Sequence, residues 1–346
     1  MTDSEQSKLI ISGTALENGV HEDANDEADG GVDAELRQAG VPVESHGARL
    51  DLALARLVPE FSRNYLQQLI AAGAVQLNEL TLTKSSARVK AGDQLRIELR
   101  PTLQSQAFKP EQMALDVVFE DDFLMVINKP AGLVVHPAPG NWSGTLLNGL
   151  LARHASAAVL PRAGIVHRLD KDTSGLMVVA RQRQSMDQLV NMIAARSVSR
   201  QYIALAHGEW KGPKTRSVDL PVGRDPRNRL KMAVVDLAKT SGKAALTDIT
   251  LLQNAGSYCL VRCKLHTGRT HQIRVHMAAL GHPLVSDAVY GGQFAAGLQR
   301  QALHACRLAF EHPVTGEQLV FNSPMPADLR IASENLGLSY NQSEQI

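Results

Sequence analysis

The sequence predicts an α+β protein: a mixed, mainly antiparallel sheet domain with helices packed on it, preceded by a small module of two helices and short strands. Between residues 111 and 330, apolar runs of strand length outnumber stretches of helical periodicity, and many follow one another across short polar turns, as antiparallel strands do. Between residues 46 and 100, two helical stripes precede two short alternating runs. A chain of 346 residues accommodates both units, and 44% hydrophobic with 21% charged content is ordinary for a globular protein with a large core.

The formal charge of +1 hides an asymmetry. Residues 1–40 hold 10 Asp/Glu against Lys8 and Arg37, leaving 34 Lys/Arg and 25 Asp/Glu to the remainder. A basic body suits a polyanionic partner, although an excess this modest does not establish one. Residues 1–45 have no aromatic residue and no sustained periodicity, so a disordered acidic tail is expected there, either repelling or mimicking RNA or simply solvating the terminus. The start lacks a basic segment and the apolar core of a signal peptide, and no run reaches the ~18 apolar residues of a membrane span. A cytoplasmic protein with no membrane partner is expected. The three cysteines, Cys259, Cys263 and Cys306, form no disulfide framework and fit a reducing compartment. Cys259 and Cys263 share one face of an alternating run with Val261 and Leu265, which reads as core packing rather than zinc.

Taken in order, Leu50, Leu52, Ala53, Leu57 and Val58 form the buried side of a first helix. Ser62 caps a second, whose stripe is Tyr65, Leu66, Leu69 and Ile70 and which ends at Gly73. Val75–Leu77 and Gln94–Leu99 alternate as strands around a loop carrying Lys84, Arg88 and Lys90. Residues 46–100 hold 8 Lys/Arg and 5 Asp/Glu, compatible with RNA binding or with a solvated surface. Residues 101–110, with proline at both ends, read as a linker.

The second domain, residues 111–333, opens with strands at 115–119 and 123–127. The segment NKPAGLVVHPAPG (128–140) follows, a loop fixed by Pro and Gly, whose Lys129 could meet a phosphate or pair with a neighbouring acid. Residues 145–154 have helical spacing. Then GIVHRLDKDTSGLMVVA (164–180) sets a polar loop between two apolar runs read as buried strands, 164–166 and 176–180. Asp170, with Arg168 two residues before and Lys171 just after, lies in the cationic surrounding a carboxylate nucleophile requires. The alternative is a tight turn hydrogen-bonded by Asp170, Asp172, Thr173 and Ser174.

Residues 185–196 form an amphipathic helix, and RQYIALAHG (200–208) a strand in which Tyr202, Ala204 and Ala206 share a face. One phenol among small residues leaves room for a flat ring, or is a core tyrosine. Residues 222–243 contain 6 basic and 2 acidic residues, and Arg224, Arg227, Arg229 and Lys231 read as a hairpin laid along phosphates or as a solvated one. After strands at 245–252 and 257–265, Thr270 can cap a helix anchored by Ile273, Met277 and Leu280, with His271 and Arg274 on a neighbouring face. No two of His266, His271 and His276 lie one turn apart, so zinc is rejected. Strands at 303–310 and 318–321 close the sheet, and residues 334–346 are expected to be a loose C-terminal tail. No phosphate loop, nicotinamide fingerprint or metal spacing appears, so no cofactor is expected.

HRLDKDTSGL (167–176), with NKPAGLVVHPAPG (128–140) and HTGRTHQIRVHMAALGHP (266–283), resembles the signature segments of RluA/RluD-type pseudouridine synthases, the similarity running from about residue 46 to about 330. Residues 46–100 resemble the RNA-binding module named after ribosomal protein S4, with Arg49, Ser62, Arg63 and the Val75 strand at matching places, but Leu77-Asn78-Glu79 stands where that module usually has Val-Asn-Gly.

The resemblance implies a pseudouridine synthase fold and isomerisation of specific uridines to pseudouridine in large-subunit (23S) ribosomal RNA, in the stem-loop that D-type members modify. The RNA could be naked or within a large-subunit precursor particle, and the enzyme a monomer. It also implies that Asp170 is the catalytic aspartate, that Tyr202 occupies the active-site tyrosine position and that Arg274 pairs with the aspartate. Arg168 would fill the stack vacated by the flipped base, or else bridge to Asp172. Arg63, Lys129, Arg224, Arg229 and Lys231 complete the expected RNA contacts. An RNA binder with a dormant site and a nucleoside hydrolase using the same aspartate are the alternatives, the second weakened by the want of a second placed carboxylate.

Overall fold

The computed structural model describes residues 35–59, 63–99, 108–138, 141–228 and 231–340, and the chain divides into two compact units, 1–106 and 107–346. Ser62, the expected cap, lies outside the described residues, as do most of the expected linker and most of the acidic tail.

The first unit contains β1 (Glu35–Gly40), α1 (Leu50–Leu57), α2 (Arg63–Ala71), β2 (Val75–Leu77), β3 (Leu80–Thr81) and β4 (Gln94–Leu99), with sheet order β1-β4-β2-β3. Its core joins Leu50, Ala53 and Leu54 of α1, Leu66, Leu69 and Ile70 of α2, and Val75, Leu95 and Ile97 of the sheet. Each such leucine or isoleucine stabilises the fold by roughly 2 kcal/mol. Asn78 and Glu79, at φ 48° and 68°, make the two-residue turn between β2 and β3. Asparagine tolerates the left-handed region, whereas Glu79 occupies it at a cost of roughly 1 kcal/mol.

β1 corrects the expected disorder up to residue 45. Residues 35–40 pair antiparallel with the whole of β4, Glu35 opposite Leu99 and Gly40 opposite Gln94, and a 3₁₀ turn follows at Val43–Ser45. The strand ELRQAG is held through its backbone at a sheet edge, so it needs no apolar alternation to announce it.

The second unit contains β5 (Val117–Glu120), β6 (Leu124–Lys129), α3 (Leu146–Arg153), β7 (Ser174–Ala180), α4 (Arg183–Ala194), β8 (Ser199–His207), β9 (Thr215–Asp219), β10 (Val222–Arg224), β11 (Met232–Val234), β12 (Gly242–Lys243), β13 (Leu246–Ala255), β14 (Tyr258–Leu265), α5 (Gln272–Ala279), β15 (Leu303–Glu311), β16 (Gln318–Asn322) and α6 (Ala327–Asn335). The main sheet runs β5-β6-β7-β15-β8-β14-β13-β9, with β16 also on β15, and β10 lies between β11 and β12 in a small sheet. Pairing is antiparallel except between β7 and β15. The mixed, mainly antiparallel sheet is therefore the one expected.

Strand alternation sorts the core into two layers. Met125, Ile127, Met177, Val179, Tyr202, Ala204, Val261 and Cys263 face one way, onto α3 and α5. Leu124, Val126, Leu176 and Val178 face the other, onto α4, while Ile203, Leu205 and Leu260 pack with α6. Cys259 and Cys263 are core residues, as read.

Three local expectations are corrected. Residues 164–166 are not a strand: a 3₁₀ turn occupies Pro161–Gly164, and Ile165 makes a single bridge to Val179. Arg162 and Ala163 are left-handed there (φ 53° and 54°), and the chain at Gly164 passes so near Ala180 that a Cβ would lie 1.9 Å from its carbonyl oxygen. The N-cap of α5 is His271, not Thr270. The C-terminal segment is packed as far as described: α6 runs to Asn335, Leu338 is buried, and the Ser333 hydroxyl donates to the Leu338 carbonyl. An apolar residue two or three positions beyond a helix carries no periodicity, which is why that packing escapes sequence reading.

Candidate active site

The loop between Ile165 and β7 is tied down by its backbone. The Lys171 carbonyl accepts from the Gly132 amide at 3.0 Å and from the Lys129 ammonium at 2.9 Å, and the Asp172 carbonyl accepts from Arg300 at 3.0 Å. The Thr173 amide closes a turn onto the Asp170 carbonyl. Downstream, β7 meets β15 in parallel at Ser174 and Gly175, where a Cβ on Gly175 would come within 2.3 Å of the Ala305 carbonyl oxygen. The Ser174 hydroxyl and His304 Nδ1 are 3.0 Å apart across this junction. With the backbone fixed, the Asp170 side chain reaches toward α5.

Arg274, on α5, meets it there. Its Nε and Nη2 donate to the two carboxylate oxygens of Asp287 at 2.7 and 2.8 Å, and its Nη1 donates to Asp170 Oδ2 at 3.2 Å. Burial alone would weaken its protonated form, but the two carboxylates outweigh that and raise its pKa further. Tyr290 lies under the guanidinium, 5.0 Å from ring centroid to Cζ. The Tyr290 hydroxyl accepts from the Met232 amide at 3.0 Å and lies 2.8 Å from His271 Nδ1, while His271 Nε2 is 3.9 Å from Asp170 Oδ1. Burial lowers the pKa of His271 and raises that of Tyr290, each the chief cause of its shift. A neutral His271 accepting the Tyr290 proton at Nδ1 turns its Nε2–H toward Asp170. Asp170 is 15% exposed, and its Oδ1 has no hydrogen bond among the described residues.

Tyr202 lies on the same face of the sheet, 5% exposed, in the core cluster with Ala204, Ala206 and Leu169. Burial pushes its pKa up to about 12, with Asp170 adding to the rise, so the phenol stays protonated at neutral pH.

The expected RNA contacts divide. Arg168 is exposed and makes no ion pair with Asp172 among the described residues. Arg224 is exposed on the β10–β11 hairpin. Lys231, half-buried beside it, donates to the Val289 carbonyl at 2.8 Å. Arg229 lies outside the described residues. Arg63 is exposed and, with Arg49 and Gln67, binds the fully buried carboxylate of Asp51.

Lys129 is a correction. It is 1% exposed, and its ammonium donates to the carbonyls of Pro130, Leu133 and Lys171 at 2.8 to 2.9 Å, so it cannot reach a phosphate. Burial lowers its pKa to about 8, with Asp172 and Asp170 opposing. It stitches the 130–133 loop to the Asp170 loop.

Sequence reading missed Asp287 and Tyr290. The usable signal was a lone carboxylate inside the largely apolar PLVSDAV, since a buried acid requires a cation.

A partly exposed carboxylate, steadied by an arginine that is itself anchored, fits covalent or electrostatic chemistry on a sugar or base. Residues 123–279 match the family model described as RNA pseudouridylate synthase, and residues 48–95 match the S4 domain. Over 300 residues the chain is 48% identical to ribosomal large subunit pseudouridine synthase D of Neisseria meningitidis serogroup A, covering 84% of this chain and 79% of that protein. Over 319 residues it is 44% identical to the protein of the same name from Xanthomonas campestris pv. campestris, covering 88% and 94%. Among solved structures, human RNA pseudouridylate synthase domain containing 4 aligns with a TM-score of 0.51 at 25% identity, over 65% of this chain and 94% of that one. The chain belongs to the RNA pseudouridylate synthase family, and it is an isomerase of that class carrying an S4 domain. Within the family it is similar over most of its length to the D-type synthases of ribosomal RNA.

Proposed function

We propose that this enzyme converts specific uridines of large-subunit ribosomal RNA to pseudouridine, in the stem-loop its D-type relatives modify, and that Asp170 is its nucleophile. The observation that carries the assignment of Asp170 is its asymmetry: Oδ2 is held by Arg274 while Oδ1 has no hydrogen bond among the described residues.

The uridine leaves its stack, which costs a few kcal/mol, and Arg168 fills the gap. An Asp170 oxygen attacks C1′ of the ribose and the C1′–N1 bond breaks, its electron pair leaving with the uracil. The base turns on the platform of Tyr202, C5 attacks C1′ and displaces the carboxylate, C5 loses its proton and N1 gains one. Atoms in and out are the same. Arg274 holds Asp170 ionised and aimed once the base excludes water.

We assign residues 46–100 to RNA binding, with β1 completing that unit's sheet, 101–110 to linking and 111–333 to catalysis. Arg224, Arg229 and Lys231 contact phosphates, and the enzyme acts as a cytoplasmic monomer on ribosomal RNA or its precursor particle. Binding should weaken about a thousandfold from 50 to 200 mM salt if about six phosphates are contacted.

The test is pseudouridine mapping of ribosomal RNA from cells lacking the protein, complemented by wild type or Asp170→Asn. Missing modifications restored by wild type alone are expected. Modifications that persist without the protein, or return with Asp170→Asn, would overturn the proposal.

A further inference from the structure

Two arginines are buried among the described residues, and they are treated differently. Arg274 has two carboxylates, whereas Arg200, 5% exposed, has no ion pair among the described residues, and its Nε is shielded from solvent with no hydrogen-bond partner among them. Arg200 sits on β8 two residues before Tyr202, on the same face of the strand. Its guanidinium lies beneath the 266–271 turn, where a Cβ on Gly268 would come within 2.9 Å of Nη1.

A second orphan lies nearby. His167 Nε2 accepts from the Val178 amide at 3.1 Å, which puts the proton of the neutral ring on Nδ1, and Nδ1 is buried without a partner among the described residues. Burial, reinforced by Arg200, pushes His167 down to about 3, so the ring is neutral in use. The charge of Arg200 also acts on Tyr202. Arg200 and His167 thus present a cation without an ion pair and an N–H without a partner among the described residues, with the Tyr202 phenol on the same strand face as Arg200. A desolvated charge without a counter-ion destabilises a fold, so it is kept where a ligand completes it.

We propose that Arg200, with the His167 Nδ1–H beside it, binds a carbonyl oxygen of the extruded uracil and stabilises the negative charge that the base carries once the C1′–N1 bond has broken. This rests on the reading of Asp170 chemistry above. When that bond breaks, the electron pair spreads over N1, O2 and O4 of the uracil, and a fixed cation in a dry site favours the anion. Burial selects the base rather than a phosphate, because a flipped ring reaches the sheet while the RNA backbone stays at the rim.

The test compares wild type, Arg200→Met and Arg200→Lys in single turnovers on RNA carrying either uridine or 5-fluorouridine at the target, with RNA affinity and melting temperature measured alongside. Arg200→Met should slow C1′–N1 cleavage of uridine about a hundredfold, the loss typical of one oxyanion donor, with affinity changed less than about threefold. Arg200→Lys should recover part of the rate. On 5-fluorouridine, whose fluorine stabilises the anion itself, the loss should shrink below about tenfold. Arg200→Met should melt no lower than wild type, since an unpaired buried charge is removed.

Equal losses on both bases, a lowered melting temperature, or loss of affinity with the saturated rate intact would each overturn the inference. An active wild type with an equally fast Arg200→Met would also remove it while leaving the Asp170 reading standing. A wild type that forms no pseudouridine would remove the reading itself.

Discussion

Asp51 and Asp170 are both carboxylates gripped by arginine, one in each unit, and they are finished in opposite ways. Asp51 is fully buried and accepts from Arg49, Arg63 and Gln67 on both oxygens, so its pKa is held far below the usual carboxylate range. Asp170 is 15% exposed, accepts one hydrogen bond from Arg274, and keeps its other oxygen open toward His271 at 3.9 Å. A saturated carboxylate is an anchor, whereas one held on a single side can still form a bond. Arg274 makes this possible because Asp287, not Asp170, supplies most of its counter-charge.

The sharpest way to break the contrast is to neutralise each acid in turn. Asp170→Asn should lower pseudouridine formation by about 10⁴-fold or more, with both units folding as before. A variant that kept wild-type turnover would end the distinction.

Acid should separate the units next. In the second, burial holds His136, His167 and His304 near 4, 3 and 4, against an ordinary 6.5. The unfolded chain therefore binds more protons than the folded one between about pH 3 and 6.5, and stability falls as pH drops through that window, by up to about 1.4 kcal/mol per histidine per pH unit. Asp51 is depressed, so its contribution to the first unit is complete above about 4 and lost only below. Calorimetry from pH 7 to 5 should show the second unit's transition moving down while the first stays put.

Asp51→Asn and Lys129→Met should each cost about 2 to 3 kcal/mol in denaturant melts, because each strands charged or polar partners. Lys129→Met should leave the salt dependence of RNA binding unchanged, whereas Arg224→Ala should reduce its slope by about one if that arginine contacts a phosphate. The smallest effect falls on the loop beside Asp170: Arg168→Ala should slow reaction on a folded stem-loop about tenfold more than on an unstructured strand. Equal slowing on both would remove the wedge.

How much of this was legible depends on where each signal lies along the chain. Asp170 stood out because a polar loop between apolar runs concentrates charge in a few consecutive residues. The alternation of β8 and β14 set Tyr202 and Cys263 on one face without reference to any partner. Lys129 misled because a cation at the end of a strand reads as exposed, while here three carbonyls from two loops converge on it. Asp287 was missed because its partner lies on α5, and only its isolation among mostly apolar neighbours hinted at it. β1 failed for a related reason, being specified by the edge of β4.

The parallel contact between β7 and β15 has a consequence for the protein's making. Ser174 and His304 are 130 residues apart in the chain, and Asp170 and Arg274 are 104 apart. At 5–20 residues per second, about ten seconds of translation separate the acid from the strand that seats its loop. A nascent chain that has emerged only through β8 therefore displays Asp170 without its arginine or its docking strand. Competence toward RNA arrives late in synthesis, well after the first unit is free to engage it.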